Sequence, residues 1–190
     1  MIKIGKSIHE LDLLAATFYT EVVKNLDIEN ILNVRVKRAT RMASFAEATF
    51  YAYLYTNLKK IITSIPSELE KLYININPLY TALEASRVNT LPTPKTNKQI
   101  SDTKKALKDE VLSIFDYNSF TNYENGNWAY NHSKKIGQNV CPYCNSQYTF
   151  TIKTPRGKTR PHFDHFFKKS KYPAYSVKTE QVIPGKVNTL

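Results

Sequence analysis

The sequence predicts a mainly α-helical protein that changes character near its C-terminus, where a helical region gives way to a small cysteine- and histidine-bearing β-hairpin. Three observations carry this prediction. Apolar residues recur at helical spacing from Leu11 to Phe115. No glycine or proline interrupts the chain between Ile28 and Ile65. The stretch from Val140 to Ser176 holds both cysteines, two of the four histidines and the densest run of positive charge.

A chain of 190 residues has room for one ordinary domain, or a domain plus a small module. A hydrophobic content of 42% supports a packed core and argues against wholesale disorder. The expected division is a helical domain over 1–125 and a terminal module over 126–190. Lys3, Lys6, Glu10 and Asp12 break up the start of the chain, so no signal-peptide pattern is present. No apolar run approaches the roughly 20 residues that cross a bilayer. The expectation is a cytoplasmic protein with no membrane partner. Two cysteines spaced C-x-x-C do not make a secreted disulfide framework.

Met1 to Ile4 reads as a short extended start. Ser7 offers an N-cap with Glu10 as its capping-box partner. Leu11, Leu14, Ala15, Phe18, Val22 and Leu26 follow on one helical face. From Ile28 to Ile65 the pattern is again helical. Arg35, Lys37, Arg38 and Arg41 form a basic patch early in it, read as a solvated face or a DNA-backbone contact. Phe45, Phe50, Tyr51, Tyr53 and Tyr55 read as helix packing or a partner interface, with base stacking as the alternative. The helical region therefore leaves open a protein partner or a homodimer. Pro66-Ser67-Glu68 starts a further helix, with acids in its first turn. That helix is expected to break between Asn75 and Pro78, with a short piece over Leu79 to Ser86. Thr90 to Asn97 is a proline-bearing loop. Ser101 or Asp102 is then expected to cap a helix through Phe115, with Ala106, Leu107, Val111, Leu112 and Phe115 inward. Asp116 to Trp128 is turn-prone and marks the boundary.

The charge is distributed unevenly. Met1 to His132 carries 16 basic and 14 acidic residues. Ser133 to Lys171 carries nine basic residues against Asp164 alone, a net of +8. Such a local field suits a polyanion, with nucleic acid the commonest.

Cys141-Pro142-Tyr143-Cys144 has two chemical readings. A redox dithiol wants its first cysteine at a helix N-terminus in a βαβ scaffold. Here Lys134 to Val140 reads as a turn into a short strand, and the residues after Cys144 alternate like a strand. Two thiolates on a tight turn instead suit half of a zinc site, which takes four ligands. Tyr148 to Lys153 reads as a strand, Thr154 to Lys158 as a turn, and Arg160 to Phe167 as the returning strand. Asp164 and His165 lie near its middle. Phosphodiester hydrolysis needs a base titrating near neutrality and a divalent cation held by a carboxylate. A histidine beside an aspartate offers both types of group. Arg160, Lys168, Lys169 and Lys171 are suited to phosphate contacts.

Together, C-P-Y-C, a strand and turn, and R-P-H-F-D-H-F-F-K-K-S-K-Y-P closely resemble the HNH endonuclease family of ββα-metal nucleases. The resemblance covers Val140 to Pro184, about a quarter of the chain. It implies that His165 is the catalytic general base and that Asp164 helps bind a catalytic Mg²⁺ or Mn²⁺. It implies that Cys141 and Cys144 are half of a structural Zn²⁺ site. It also implies DNA as the partner, in restriction, phage defence or mobile elements.

The family pattern continues N-L-I-P-x-C-x-x-C and then a helix. This chain reads Gln181-Val182-Ile183-Pro184-Gly185-Lys186-Val187-Asn188-Thr189-Leu190. Gln181 stands at the asparagine position, and Lys186 and Thr189 at the second cysteine pair. The expectation is an HNH-like module lacking its closing helix, truncated or degenerate. His162 and His132 are the alternative ligands for a Cys₂His₂ site. Three readings of activity stay open: an inactive remnant, a DNA-binding or regulatory protein, or an active nuclease with ligands from a partner or an unusual arrangement.

Overall fold

The computed structural model describes residues 7–116, 119, 122–137, 151–155 and 157–159. Seven α-helices and one two-stranded hairpin stand among the described residues. Mainly α is thus the architecture, as the periodicity predicts. No helix among these residues is long and apolar enough to cross a membrane.

Helix α1 (Ile8–Leu26) begins as its sequence dictates. The Ser7 hydroxyl accepts from the Glu10 backbone N–H, and the Glu10 carboxylate accepts from the Ser7 N–H at 2.7 Å. Leu11, Ala15, Phe18 and Val22 are buried, while Leu14 packs beside them partly covered.

The expected helical run from Ile28 to Ile65 is three helices: α2 (Ile28–Arg41), α3 (Phe45–Thr56) and α4 (Leu58–Thr63). The first break is a Schellman turn. Ala43 takes φ +52°, its N–H donates to the Thr40 carbonyl, and the Ser44 N–H donates to the Ala39 carbonyl at 2.9 Å. Alanine seldom occupies this left-handed position, so composition does not announce the stop. At the second break, the backbone N–H and side-chain amide of Asn57 both donate to the Tyr53 carbonyl. The chain folds back at the first break, laying α3 against α2, and Phe50, Tyr51 and Leu54 of α3 are buried in the core.

Helix α5 (Pro66–Asn89) runs straight through the break expected between Asn75 and Pro78. Pro78 lies on its exposed side. The hydrogen bond it cannot make belongs to the Ile74 carbonyl, on a residue 70% exposed, where solvent can replace it. Leu69, Ile76 and Leu83 hold the opposite side in the core.

Helix α6 (Asn97–Ile114) starts before Ser101 and Asp102. Its cap is Thr96, whose hydroxyl accepts from the Gln99 N–H while the Gln99 side chain accepts from the Thr96 N–H. Leu107, Val111, Ile114 and Phe115 face inward, whereas Ala106 is exposed.

Helix α7 (Asn127–Ile136) takes up Lys134, Lys135 and Ile136, which the sequence suggested as a lead into a strand. Gly137, at φ +67°, ends it. Trp128, Ala129 and Ile136 join the same core cluster as the helices before them. Strands β1 (Ile152–Thr154) and β2 (Gly157–Thr159) pair antiparallel, Ile152 opposite Thr159 and Thr154 opposite Gly157. The expected hairpin forms with its first strand ending at Thr154 and its return strand starting at Gly157, so both strands reach into the stretch anticipated as turn and the return begins before Arg160.

Candidate functional site

The described residues that lead into the motif-bearing stretch are those of α7, and Glu21 of α1 holds them. One carboxylate oxygen accepts from the Trp128 indole N–H at 2.6 Å, the other from the Lys135 ammonium at 3.2 Å. The Trp128 ring stacks near Phe18 with centroids 6.1 Å apart, and the Tyr123 ring meets it edge-on at 5.5 Å. An open cleft of about 610 Å³ lies over this join, bordered by Glu21, Lys24, Asn25, Trp128, Asn131 and Lys134 among others. The Ser133 and Thr151 hydroxyls, 2.8 Å apart, tie α7 to the residue just before β1. The hairpin is thus fastened to the helical body at a defined point.

His132 is 2% exposed on the inner side of α7, with its ring 4.7 Å from that of Phe18. Burial, and secondarily the charge of Lys135, push its pKa down to about 3, so it is neutral at pH 7. It belongs to the packing between α1 and α7, which is its evident role in this fold.

The residues expected to perform chemistry, Cys141, Cys144, Asp164 and His165, lie outside the described residues. So do Arg160, Lys168, Lys169 and Lys171, the alternative ligand His162, and the divergent positions Gln181, Lys186 and Thr189. Among the described residues, no three His, Cys, Asp or Glu side chains stand together as a metal-binding group.

The basic patch on α2 does not act as one unit. Arg35 turns inward, where its guanidinium pairs with Glu110 of α6 and lies 5.2 Å over the Tyr51 ring. The Tyr51 hydroxyl donates to the same Glu110 oxygen at 2.7 Å. Arg87 of α5 reaches Glu47 at 2.9 Å and Glu110 at 3.6 Å. Burial and the Glu110 carboxylate together hold the Tyr51 phenol well above the usual tyrosine range. This network joins four helices. The sequence offers no signal for it, since Arg35 and Glu110 are far apart and neither belongs to a motif. Lys37, Arg38 and Arg41 remain on the outside.

Comparison with protein-family models, with curated proteins and with solved structures finds no match for this chain.

Proposed function

We propose that the chain is an HNH-type endonuclease that hydrolyses phosphodiester bonds of DNA with a divalent metal ion, in restriction or phage defence. The observation that carries the proposal is the succession of C-P-Y-C and R-P-H-F-D-H-F-F-K-K-S-K-Y-P within one strongly basic stretch. Neither half is specific alone. In order and at this spacing they combine a thiolate pair, an imidazole base, a carboxylate and flanking cations.

In this reading His165 takes the proton of the attacking water, which a neutral imidazole does well near pH 7. Asp164 supplies an oxygen donor of the kind Mg²⁺ or Mn²⁺ prefers. An ion held there would offset the charge that builds on the scissile phosphate and leaving oxygen. Arg160, Lys168, Lys169 and Lys171 hold the flanking phosphates and fix the strand against His165. Cys141 and Cys144 provide two zinc ligands and stiffen the approach to the hairpin.

A second reading is favoured by three particular residues. Gln181 replaces the expected asparagine with an amide one methylene longer. Lys186 and Thr189 replace a thiolate pair, and a charged lysine cannot ligate zinc. A basic DNA-binding or regulatory protein derived from such a nuclease accommodates all three.

The two readings part in one experiment. Supercoiled plasmid is incubated with the purified chain and Mg²⁺ or Mn²⁺, beside His165→Ala. Nicking that is lost in the variant supports the nuclease. Salt-sensitive binding without cleavage by either protein supports the binding protein. Metal analysis of the purified chain addresses the cysteine pair separately, and zinc well below one equivalent overturns its structural role.

A further inference from the structure

The outer side of α2 carries cations whose positions the fold does not explain. Lys37, Arg38 and Arg41 are exposed, and none joins an ion pair among the described residues. They follow one another at the i, i+1 and i+4 positions of one helix, within about 6 Å along its axis. The helix dipole favours Arg38 and Arg41 in the last turn, but it gives no reason for the apolar groups beside them. Met42 is 68% exposed and Phe45, the first residue of α3, is 84% exposed. The Schellman turn at Ala43 places them at the same end of the α2–α3 hairpin as Arg41. Phe50 and Tyr51, five and six residues further on, lie fully in the core. Phe45 is thus the most exposed aromatic of α3, well beyond Tyr55 at 45%, and it stands at the end of the helix next to Arg41.

We propose that this end of the α2–α3 hairpin binds a nucleic-acid strand with unpaired bases. Lys37, Arg38 and Arg41 take consecutive phosphates, and Phe45 stacks on a base beside Met42. This rests on the DNA-acting reading above and adds a second contact surface, outside the motif-bearing stretch. The choice of partner follows from charge and shape. Three clustered cations match a polyanion. A duplex keeps its bases stacked inside, so an exposed phenyl ring gains little from its backbone. An unpaired base presents a free face, and aromatic stacking on it is tolerant of sequence. A cation cluster rimmed by one exposed aromatic therefore selects strands with unpaired bases over blunt duplex.

The test uses the full chain, without added divalent ions, and fluorescence anisotropy of a labelled single-stranded 20-nucleotide oligomer and of the matching blunt duplex. Replacing Lys37, Arg38 and Arg41 together by Gln is expected to weaken single-strand binding about tenfold. It should also lower the slope of log affinity against log salt by about 2, the release expected for three phosphates. Phe45→Ala is expected to weaken single-strand binding about fivefold or more with the slope unchanged, and to leave duplex binding as it was. Replacing Lys59, Lys98 and Lys105 by Gln removes equal charge elsewhere on the exposed surface and should change single-strand affinity less than twofold. Wild-type affinity and slope in the α2 triple variant overturn the proposal. So does an equal loss on single strand and duplex in Phe45→Ala. So does a Phe45→Ala effect confined to self-association in sedimentation, which assigns the face to a second copy. Failure here is distinguishable from failure of the nuclease reading. Plasmid nicking that requires His165 while the α2 variants bind normally leaves the nuclease standing and removes this surface, and the converse result does the opposite.

Discussion

His132 is a titratable side chain that the fold keeps from titrating. Its pKa in the folded chain is pushed down to about 3, against about 6.5 for an unfolded histidine. Between those values the unfolded chain binds a proton that the folded chain refuses. The contribution to stability is therefore intact above about pH 6.5 and drains away as the pH falls toward 3. His132→Phe, which keeps a ring against Phe18, should remove this slope. In urea titrations at pH 7 and pH 4.5, the wild type should lose on the order of 2 kcal/mol more than the variant between the two conditions. Equal losses would mean the histidine reaches solvent. At the Arg35, Tyr51 and Glu110 cluster, the acceptor matters more than any one donor. Glu110→Ala leaves a partly covered guanidinium and a buried phenol without their acceptor, at a cost of about 2 kcal/mol. Tyr51→Phe removes one donor and should cost about 1 kcal/mol. The double variant should fall short of the sum, because both act through one oxygen. Additivity in urea unfolding would refute a shared acceptor.

Helix boundaries are where local chemistry and tertiary packing compete most visibly. Ala43 holds a left-handed conformation that costs an L-residue roughly 1 kcal/mol and costs glycine little. Ala43→Gly should therefore stabilise the chain by about 0.5 kcal/mol, after the entropy glycine returns to the unfolded state. Loss of stability in thermal or urea unfolding would contradict the Schellman assignment. The same position explains what the sequence reveals and what it hides. Helix α1 was legible to the residue, because Ser7 and Glu10 form a capping box and one apolar face runs unbroken behind them. The division between α2, α3 and α4 was hidden because it uses alanine and asparagine in place of the usual glycine. Pro78 misled in the other direction: a proline on an exposed helix side ends nothing when its missing bond falls to solvent. Thr96 and Gln99 make a capping box as good as that of α1, yet the prolines before it drew attention to a loop. At the candidate site, the cysteine pair and the Asp164-His165 pair are legible because their spacing is itself the signal. Phe45 was not separable from Phe50 and Tyr51 by spacing. Only the packing of α3 against α2 and α5 decides which aromatic stays outside.

The whole molecule poses the question of whether α7 belongs to the helical body or to the stretch that follows it. Its burial gives the answer, since Trp128 is 6% exposed, Ile136 is 3% exposed, and both lie in the cluster built by α1 through α6. The Glu21 carboxylate adds hydrogen bonds to Trp128 and Lys135 across the same join. Small single domains with one continuous core unfold in one cooperative step. Trp128 is the only tryptophan of the chain, so its fluorescence reports α7 alone, whereas far-UV circular dichroism reports all the helices. The two signals should therefore give the same urea midpoint and the same slope. Glu21→Gln keeps an acceptor for the indole but loses the ion pair, and should move both midpoints together by a small amount. Glu21→Ala removes the acceptor from a buried indole N–H and should cost about 1–2 kcal/mol, again in both signals. A tryptophan transition that precedes the loss of helix would show that α7 undocks by itself. The anchor for the motif-bearing stretch would then be a hinge, and nucleic-acid binding there would have to be considered apart from the stability of the helical body.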